Sequence, residues 1–204
     1  MAPDQKQNHA FEVVTDRSMQ TPDDLTLITR FKNGDETAFD EIVVAYQDRI
    51  YGLCRRLLGN AHDAEDAAQD TFVKAFQNLP KFQPQASLYT WLYRIAVNTC
   101  LDYRRKPFFE SLFRRTSEGE ELQYDLPTSE PSPERLAESK QMEQALWKNL
   151  AKLSQKLRTV IILKELEGLS YEEIADVMDI SLGTVKSRIS RAREELLELM
   201  GNNR

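Results

Sequence analysis

Residues 170–193 read SYEEIADVMDISLGTVKSRISRAR and predict two short helices joined by a tight turn. Ser170 and Glu173 form a capping box, in which each side chain accepts a hydrogen bond from the other's backbone amide and so begins a helix. That helix breaks at residues 179–181, and another begins near Leu182. Its apolar residues recur at spacings of four, three and four, as on one face of a helix: Val185, Ile189, Ala192 and Leu196. The pattern is typical of a helix-turn-helix.

The second helix of this pair carries a face with the chemistry to bind DNA. No acid occurs between Ile180 and Arg193, and basic and hydroxyl side chains lie outside the apolar stripe. When a helix enters a major groove, such side chains reach phosphates and base edges. Most charged helix faces are merely solvated, but the short turn and the small Gly183 at the helix start favour DNA binding. The candidate DNA-binding residues are Ser181, Thr184, Lys186, Ser187, Arg188, Arg191 and Arg193.

An acidic segment divides the chain. Residues 116–134 hold six acids, three prolines and no Lys or Arg, without apolar periodicity, which predicts a linker. The chain has a net charge of −6, so this segment accounts for the whole excess of acid. We expect a flexible tail over residues 1–20, a helical domain over 21–113, the linker over 114–134 and a second helical domain over 135–204.

Apolar spacing predicts an all-α fold of two small helical domains. In the first, one helix precedes Gly34, a longer one ends near Gly59, a third runs from Ala61 to Leu79, and Ser87 caps a fourth that ends near Arg105. The third helix is expected to place these residues in the core: Ala61, Ala64, Ala68, Phe72, Ala75 and Leu79. In the second domain, helices over about 136–153 and 154–167 precede the helix-turn-helix.

The composition excludes several classes of protein. No apolar run approaches the roughly 20 residues of a membrane span, and the N-terminus lacks the pattern of a secretory signal, so we expect a cytoplasmic protein that does not insert into a membrane. Cys54 and Cys100 lie far apart, and the only histidines are His9 and His62. A disulfide framework, a metal site and a His-based catalytic site are therefore not expected, and neither are catalytic residues or a cofactor.

Several stretches resemble the extracytoplasmic-function sigma factors of bacterial RNA polymerase. EDAAQDTF at residues 65–72, the stretch at 82–99 and DYRR at 102–105 resemble the region two of that family. EGLSYEEIA at residues 167–175 and GTVKSRISRAR at 183–193 resemble its region four. A helix-turn-helix alone would not separate a sigma factor from an activator, but the ordered set of motifs is highly specific.

The resemblance implies a promoter-specificity subunit with three binding surfaces. The helix-turn-helix is expected to recognise the minus-thirty-five element. The third helix is expected to dock on the clamp helices of the large polymerase subunit through Glu65, Asp66, Gln69 and Asp70. The fourth helix and the loop before it are expected to open the minus-ten element and hold a flipped base by stacking, hydrogen bonds and phosphate contacts. The residues of those types are Phe82, Ser87, Trp91, Arg94, Asn98, Arg104 and Arg105, although Trp91 is equally well explained as a core residue.

The same resemblance implies the partners: core RNA polymerase, promoter DNA, and an anti-sigma factor that holds the chain inactive until a stress signal. The linker is expected to pass through the polymerase cleft and RNA exit path, where a polyanion resembles RNA, or to be only a flexible tether. No small-molecule substrate is implied.

Two other classes of protein compete with this interpretation. A response regulator would need a βαβ receiver, and a helical hydrolase would need a nucleophile motif; neither pattern is present.

Overall fold

A computed structural model of the chain describes residues 22–83, 87–110 and 145–201. These residues form helices and connecting turns without any strand, which confirms the all-α prediction for the part described. The predicted tail (1–20), the predicted linker (114–134) and the first residues of the helix predicted over 136–153 lie outside the described residues. Among those described, no helix is both long and apolar enough to cross a membrane.

The helices of the first domain are α1 (Pro22–Lys32), α2 (Thr37–Leu58), α3 (Ala61–Asn78) and α4 (Leu88–Glu110), with a 3₁₀ turn at Leu79–Lys81. The second domain contains α5, of which residues 145–152 are described, then α6 (Gln155–Ile161), a π-helical turn (Ile162–Leu166), α7 (Tyr171–Met178) and α8 (Leu182–Gly201). Helix α4 extends to Glu110, several residues beyond its predicted end near Arg105.

A tight connection joins α2 to α3. Gly59 ends α2 with a φ of 91°, a conformation that suits glycine because it has no Cβ, and its amide donates to the carbonyl of Arg55. The next residue, Asn60, caps α3 by accepting a hydrogen bond of 2.7 Å from the amide of Asp63. The two glycine-marked helix ends predicted at Gly34 and Gly59 are therefore present, each with a positive φ.

The core of the first domain forms where α2, α3 and α4 pack together. Alanines on α3 permit close approach, since Ala64, Ala67 and Ala75 are fully buried. The prediction that Ala61 also faces the core was wrong: it is exposed because it is the first residue of α3, at the end of the helix. The main buried residues contributed by α2 and α4 are Ile42, Ile50, Leu53, Cys54, Leu92, Tyr93, Ala96 and Val97.

In the second domain, Arg158 joins α5 to α6. Its side chain is buried and donates hydrogen bonds to the carbonyl oxygens of Leu150, Ala151 and Leu153. Carbonyl groups at the end of a helix lack partners within the helix, so a guanidinium placed there satisfies them. Helix α8 packs on α6 and α7, and α7 also packs against α4 of the first domain.

Candidate nucleic-acid and polymerase interfaces

The helix-turn-helix has the geometry that the sequence predicts. Ser170 Oγ accepts a hydrogen bond of 3.1 Å from the amide of Glu173, whose carboxylate accepts one of 2.7 Å from the amide of Ser170. Helix α7 ends at Asp179, which has a left-handed φ of 52°. Its amide donates to the carbonyl of Ala175. The turn thus takes three residues and presents the start of α8 at the surface.

Hydroxyl groups stabilise the first turn of α8. Ser181 Oγ accepts a hydrogen bond of 3.2 Å from the amide of Thr184, and the two hydroxyl oxygens lie 2.8 Å apart. Ser187 donates to the carbonyl of Thr184. These three candidate DNA-binding residues therefore also cap and order the helix start. Val185 and Ile189 are buried against the rest of the domain, as their spacing predicts.

The outward face of α8 is basic. Lys186 and Arg191 are exposed, Arg188 is half-exposed, and none of the three is paired with an acid in the described residues. Arg193 differs, because its guanidinium contacts Glu165 Oε1 at 2.6 Å through Nη2 and at 3.2 Å through Nε. The hydrogen bond with Glu165 raises the pKa of Arg193. The basic face available to DNA is therefore narrower than the sequence predicts.

The loop before α4 contributes to the core. Phe82 is buried, and its ring centroid lies 5.1 Å from that of Trp91 in an edge-on contact at 63°. In this structure Phe82 therefore packs inside the first domain, and its contact with a DNA base stays a prediction. Trp91 is half-buried against the core, so both explanations of this residue remain open. Ser87 Oγ accepts from the amide of Thr90 at 3.0 Å and caps α4, as predicted.

Further along α4, Arg94 and Asn98 are exposed on one face, one helical turn apart. The Arg94 Nη2 atom also lies 3.7 Å from Asp179 Oδ2, in the turn of the second domain.

Arg104 is half-buried, with Nη2 3.5 Å from the carbonyl oxygen of Leu58. It lines a small cavity between the domains with Arg56, Gly59, Trp147, Leu150, Ala151 and Arg158. The side chain of Arg105 lies outside the described residues.

Only part of the acidic face of α3 is exposed to solvent. Glu65 and Gln69 are exposed, whereas Asp66 and Asp70 are half-buried. The same helix also exposes Val73, whose side chain extends that face by one turn with an apolar contact area. The sequence analysis did not select Val73, since an apolar residue on a helix usually indicates the core.

No group of three or more His, Cys, Asp or Glu side chains in the described part of the chain is arranged to hold a metal ion. Cys54 and Cys100 are buried free thiols. The hydrogen bond with the neighbouring Cys54 thiol, followed by burial, raises the pKa of Cys100, which keeps it protonated and poorly reactive.

Comparisons with known proteins agree in both halves of the chain. A family model described as Sigma-70 region 2 matches residues 42–107, and one described as Sigma-70, region 4, matches residues 143–196. The RNA polymerase sigma-H factor of Pseudomonas aeruginosa is 41% identical over 177 residues, which cover 85% of this chain and 91% of that protein. The ECF RNA polymerase sigma-E factor of Haemophilus influenzae is 39% identical over 178 residues, or 84% of this chain and 92% of the relative.

A solved structure is similar over both domains. The sigma factor RpoE of Bartonella quintana, crystallised with the anti-sigma factor NepR, superposes with a TM-score of 0.65 and is 28% identical. The similarity covers 81% of this chain and 98% of that one. The likeness thus extends to the arrangement of both helical domains.

Proposed function

The chain belongs to the extracytoplasmic-function sigma factors of the sigma-70 family, and we propose that it directs core RNA polymerase to a specific set of promoters and initiates transcription there. The observation that carries this proposal is the presence of both family regions in order, the second containing a capped helix-turn-helix with a basic outward face. The role is one of binding and not of catalysis.

Recognition of the minus-thirty-five element belongs to α8. Lys186, Arg188 and Arg191 provide the positive charge, and the hydroxyls at the helix start hold its first turn in place. In helix-turn-helix proteins the N-terminal part of the second helix enters the groove deepest, so Arg188, which is nearer that end of α8 than Arg191, is assigned to a base and Arg191 to a phosphate. Arg193 is assigned a minor role because Glu165 neutralises part of its charge.

Opening of the minus-ten element belongs to α4. Arg94 and Asn98 lie exposed on one face, and a guanidinium beside an amide can bind a phosphate and a base edge of a single strand. Phe82 acts indirectly, by supporting the Trp91 ring. Trp91 is the stacking candidate, since the residue is only half-buried.

Docking on core polymerase belongs to the face of α3 that carries Glu65, Asp66 and Gln69, with Val73 as an apolar contact. Acidic side chains at an exposed position suit a basic partner and accelerate the encounter. An anti-sigma factor is the expected inhibitor, because the related Bartonella quintana sigma factor is bound to one. No small-molecule substrate or cofactor is part of this proposal.

The direct test is transcription with purified components. Core polymerase alone, core with this chain, and core with a different sigma factor plus this chain should be given genomic DNA, and the transcript starts should be mapped. We expect new starts with core and this chain alone, each preceded by a shared pair of sequence elements. Starts that appear only when the other sigma factor is present would instead identify an activator.

A further inference from the structure

A buried carboxylate joins the two domains. The side chain of Glu167 is 6% exposed, and it lies against Arg56 of α2 and Tyr93 of α4. Arg56 contacts Oε1 at 2.6 Å through Nη2 and 2.7 Å through Nε, while the Tyr93 hydroxyl donates to Oε2 at 2.7 Å. Both carboxylate oxygens of Glu167 thus have partners in the other domain. We call these three residues the domain latch.

The local fold aims Glu167 at the first domain. The residue follows the π-helical turn, and its amide donates to the carbonyl of Ile162 at 3.1 Å. Gly168 follows with a φ of 69°, and Leu169 is buried, with its amide on the carbonyl of Leu163 at 3.0 Å. These backbone hydrogen bonds fix the backbone on both sides of Glu167, so little backbone freedom is lost when the latch forms.

The stability of the domain latch depends strongly on each of its three residues. A buried charge is tolerated only when it is paired and hydrogen-bonded, and removal of one partner leaves the other uncompensated. Burial, followed by the adjacent Glu167 charge, raises the pKa of Tyr93, which therefore keeps the proton that it donates. By contrast, the Arg94–Asp179 contact at 3.7 Å is largely exposed and contributes little to stability. It does place an acid next to a residue that we assign to the minus-ten element.

In this closed arrangement the two DNA-binding helices are too close together to work at once. The two promoter elements take their names from positions about 25 base pairs apart, or about 85 Å along B-form DNA. Packed helices approach to about 8–10 Å, so α4 and α8, which both pack against α7, lie within about 20 Å of each other at closest approach. A sigma factor that contacts both elements must therefore separate its domains.

We propose that Glu167, with Arg56 and Tyr93, latches the free chain closed, so that core polymerase binds only the fraction of molecules in which this contact is broken. This inference rests on the proposed function. If only a fraction of the chain is open, the apparent dissociation constant for polymerase is the intrinsic constant divided by that fraction. A weaker latch then means tighter binding to polymerase, although no polymerase contact has changed.

The test compares Glu167→Gln with Glu172→Gln, which removes the same charge from an exposed position on α7. Fluorophores on Gln77→Cys of α3 and Glu198→Cys of α8 report the distance between the domains, since both positions are exposed and the native thiols are buried. In the free chain, we expect Glu167→Gln to raise the ratio of open to closed molecules roughly tenfold or more. Glu172→Gln should leave it unchanged. Tyr93→Phe, which keeps the ring, should give a smaller shift.

The second measurement is the affinity for core polymerase, which should rise in Glu167→Gln by the factor by which the open fraction rises. Identical distance distributions in Glu167→Gln and Glu172→Gln would overturn the latch and leave the sigma function untouched. Opening without any gain in affinity would overturn the claim that the latch restrains polymerase binding. If the variant opens but core polymerase binds neither it nor the original chain, the latch stands and the proposed function fails.

Discussion

The Tyr103 hydroxyl donates a hydrogen bond of 2.9 Å to Asp70 Oδ2, which ties an acidic side chain of α3 to α4. Burial and this contact raise the pKa of Tyr103, so the proton remains in place at neutral pH. Asp70 therefore has a role inside the first domain, whereas Glu65 and Gln69 on the same helix face solvent. Substitutions on this face separate into those that test docking and those that also test the fold.

Asp66→Arg should weaken association with core polymerase by about tenfold or more, because it reverses a charge offered to a basic partner. Its contact with His62, at 3.9 Å and largely exposed, contributes little, so the thermal midpoint should hardly change. Titration of labelled core polymerase measures the affinity. Tyr103→Phe is the control for a change inside the domain, because it removes the hydrogen bond to Asp70 and keeps every acidic side chain of α3. Unchanged affinity in Asp66→Arg would remove α3 from the docking surface.

Asn98→Ala should permit promoter binding by the holoenzyme and impair strand opening, since an exposed amide on α4 is lost without any change in packing. The expected loss is on the order of 1–3 kcal/mol of opening free energy. Permanganate reactivity of unpaired thymines measures opening, and a pre-melted promoter should restore part of the activity. A defect that the pre-melted template does not relieve at all would contradict this assignment.

Trp91→Ala separates the two explanations of that residue. The ring lies 5.1 Å from the buried Phe82, so its removal should destabilise the first domain by about 3 kcal/mol if the residue is mainly core. A base-stacking residue should instead impair opening, with partial rescue by a pre-melted template. Chemical denaturation of the variant, set beside its opening assay, distinguishes the two. Phe82→Leu, which keeps an apolar side chain in the core, should affect opening less than Trp91→Ala.

Arg188→Ala should reduce holoenzyme affinity for promoters by roughly 1–3 kcal/mol and relax the preference at one base pair. Arg191→Ala should weaken binding to all promoter sequences alike. It should also reduce the slope of log affinity against log salt concentration by about one. Arg193→Ala is the internal comparison, with a smaller expected effect because Glu165 already binds the guanidinium. Affinities for single-base promoter variants at several salt concentrations measure all three. If the three variants lose affinity equally for every promoter sequence and at every salt concentration, the assignment of Arg188 to a base and Arg191 to a phosphate is wrong.

Ser170→Ala should lower the free energy of unfolding of the second domain by about 1 kcal/mol, since the capping box at the start of α7 loses its hydroxyl acceptor. Ser190→Ala is the control, because that exposed hydroxyl donates to Glu194 on the surface of α8 and caps no helix start. Urea denaturation followed by helical circular dichroism compares the two. If both variants unfold at the same urea concentration, the cap contributes nothing measurable.

The sequence by itself determined the all-α class, the helix-turn-helix and most helix boundaries. Signals such as the capping box of Ser170 and Glu173, or the glycine at position 59 that ends α2, lie within one helical turn of the structure that they produce. The apolar stripe of α8 was equally accessible, because helical periodicity depends only on local spacing. These features need no knowledge of what packs against them.

Only the tertiary structure decided which candidate residues are free to bind. Arg193 is bound by Glu165, 28 residues away, and Phe82 is covered by the core. Glu167 is joined to Arg56 and Tyr93 across 111 and 74 residues. Pairings over such separations depend on how whole helices pack, since burial and a partner's charge come from other parts of the chain. For that reason the sequence predicted the chemical types at each surface, and the fold selected the residues that remain exposed.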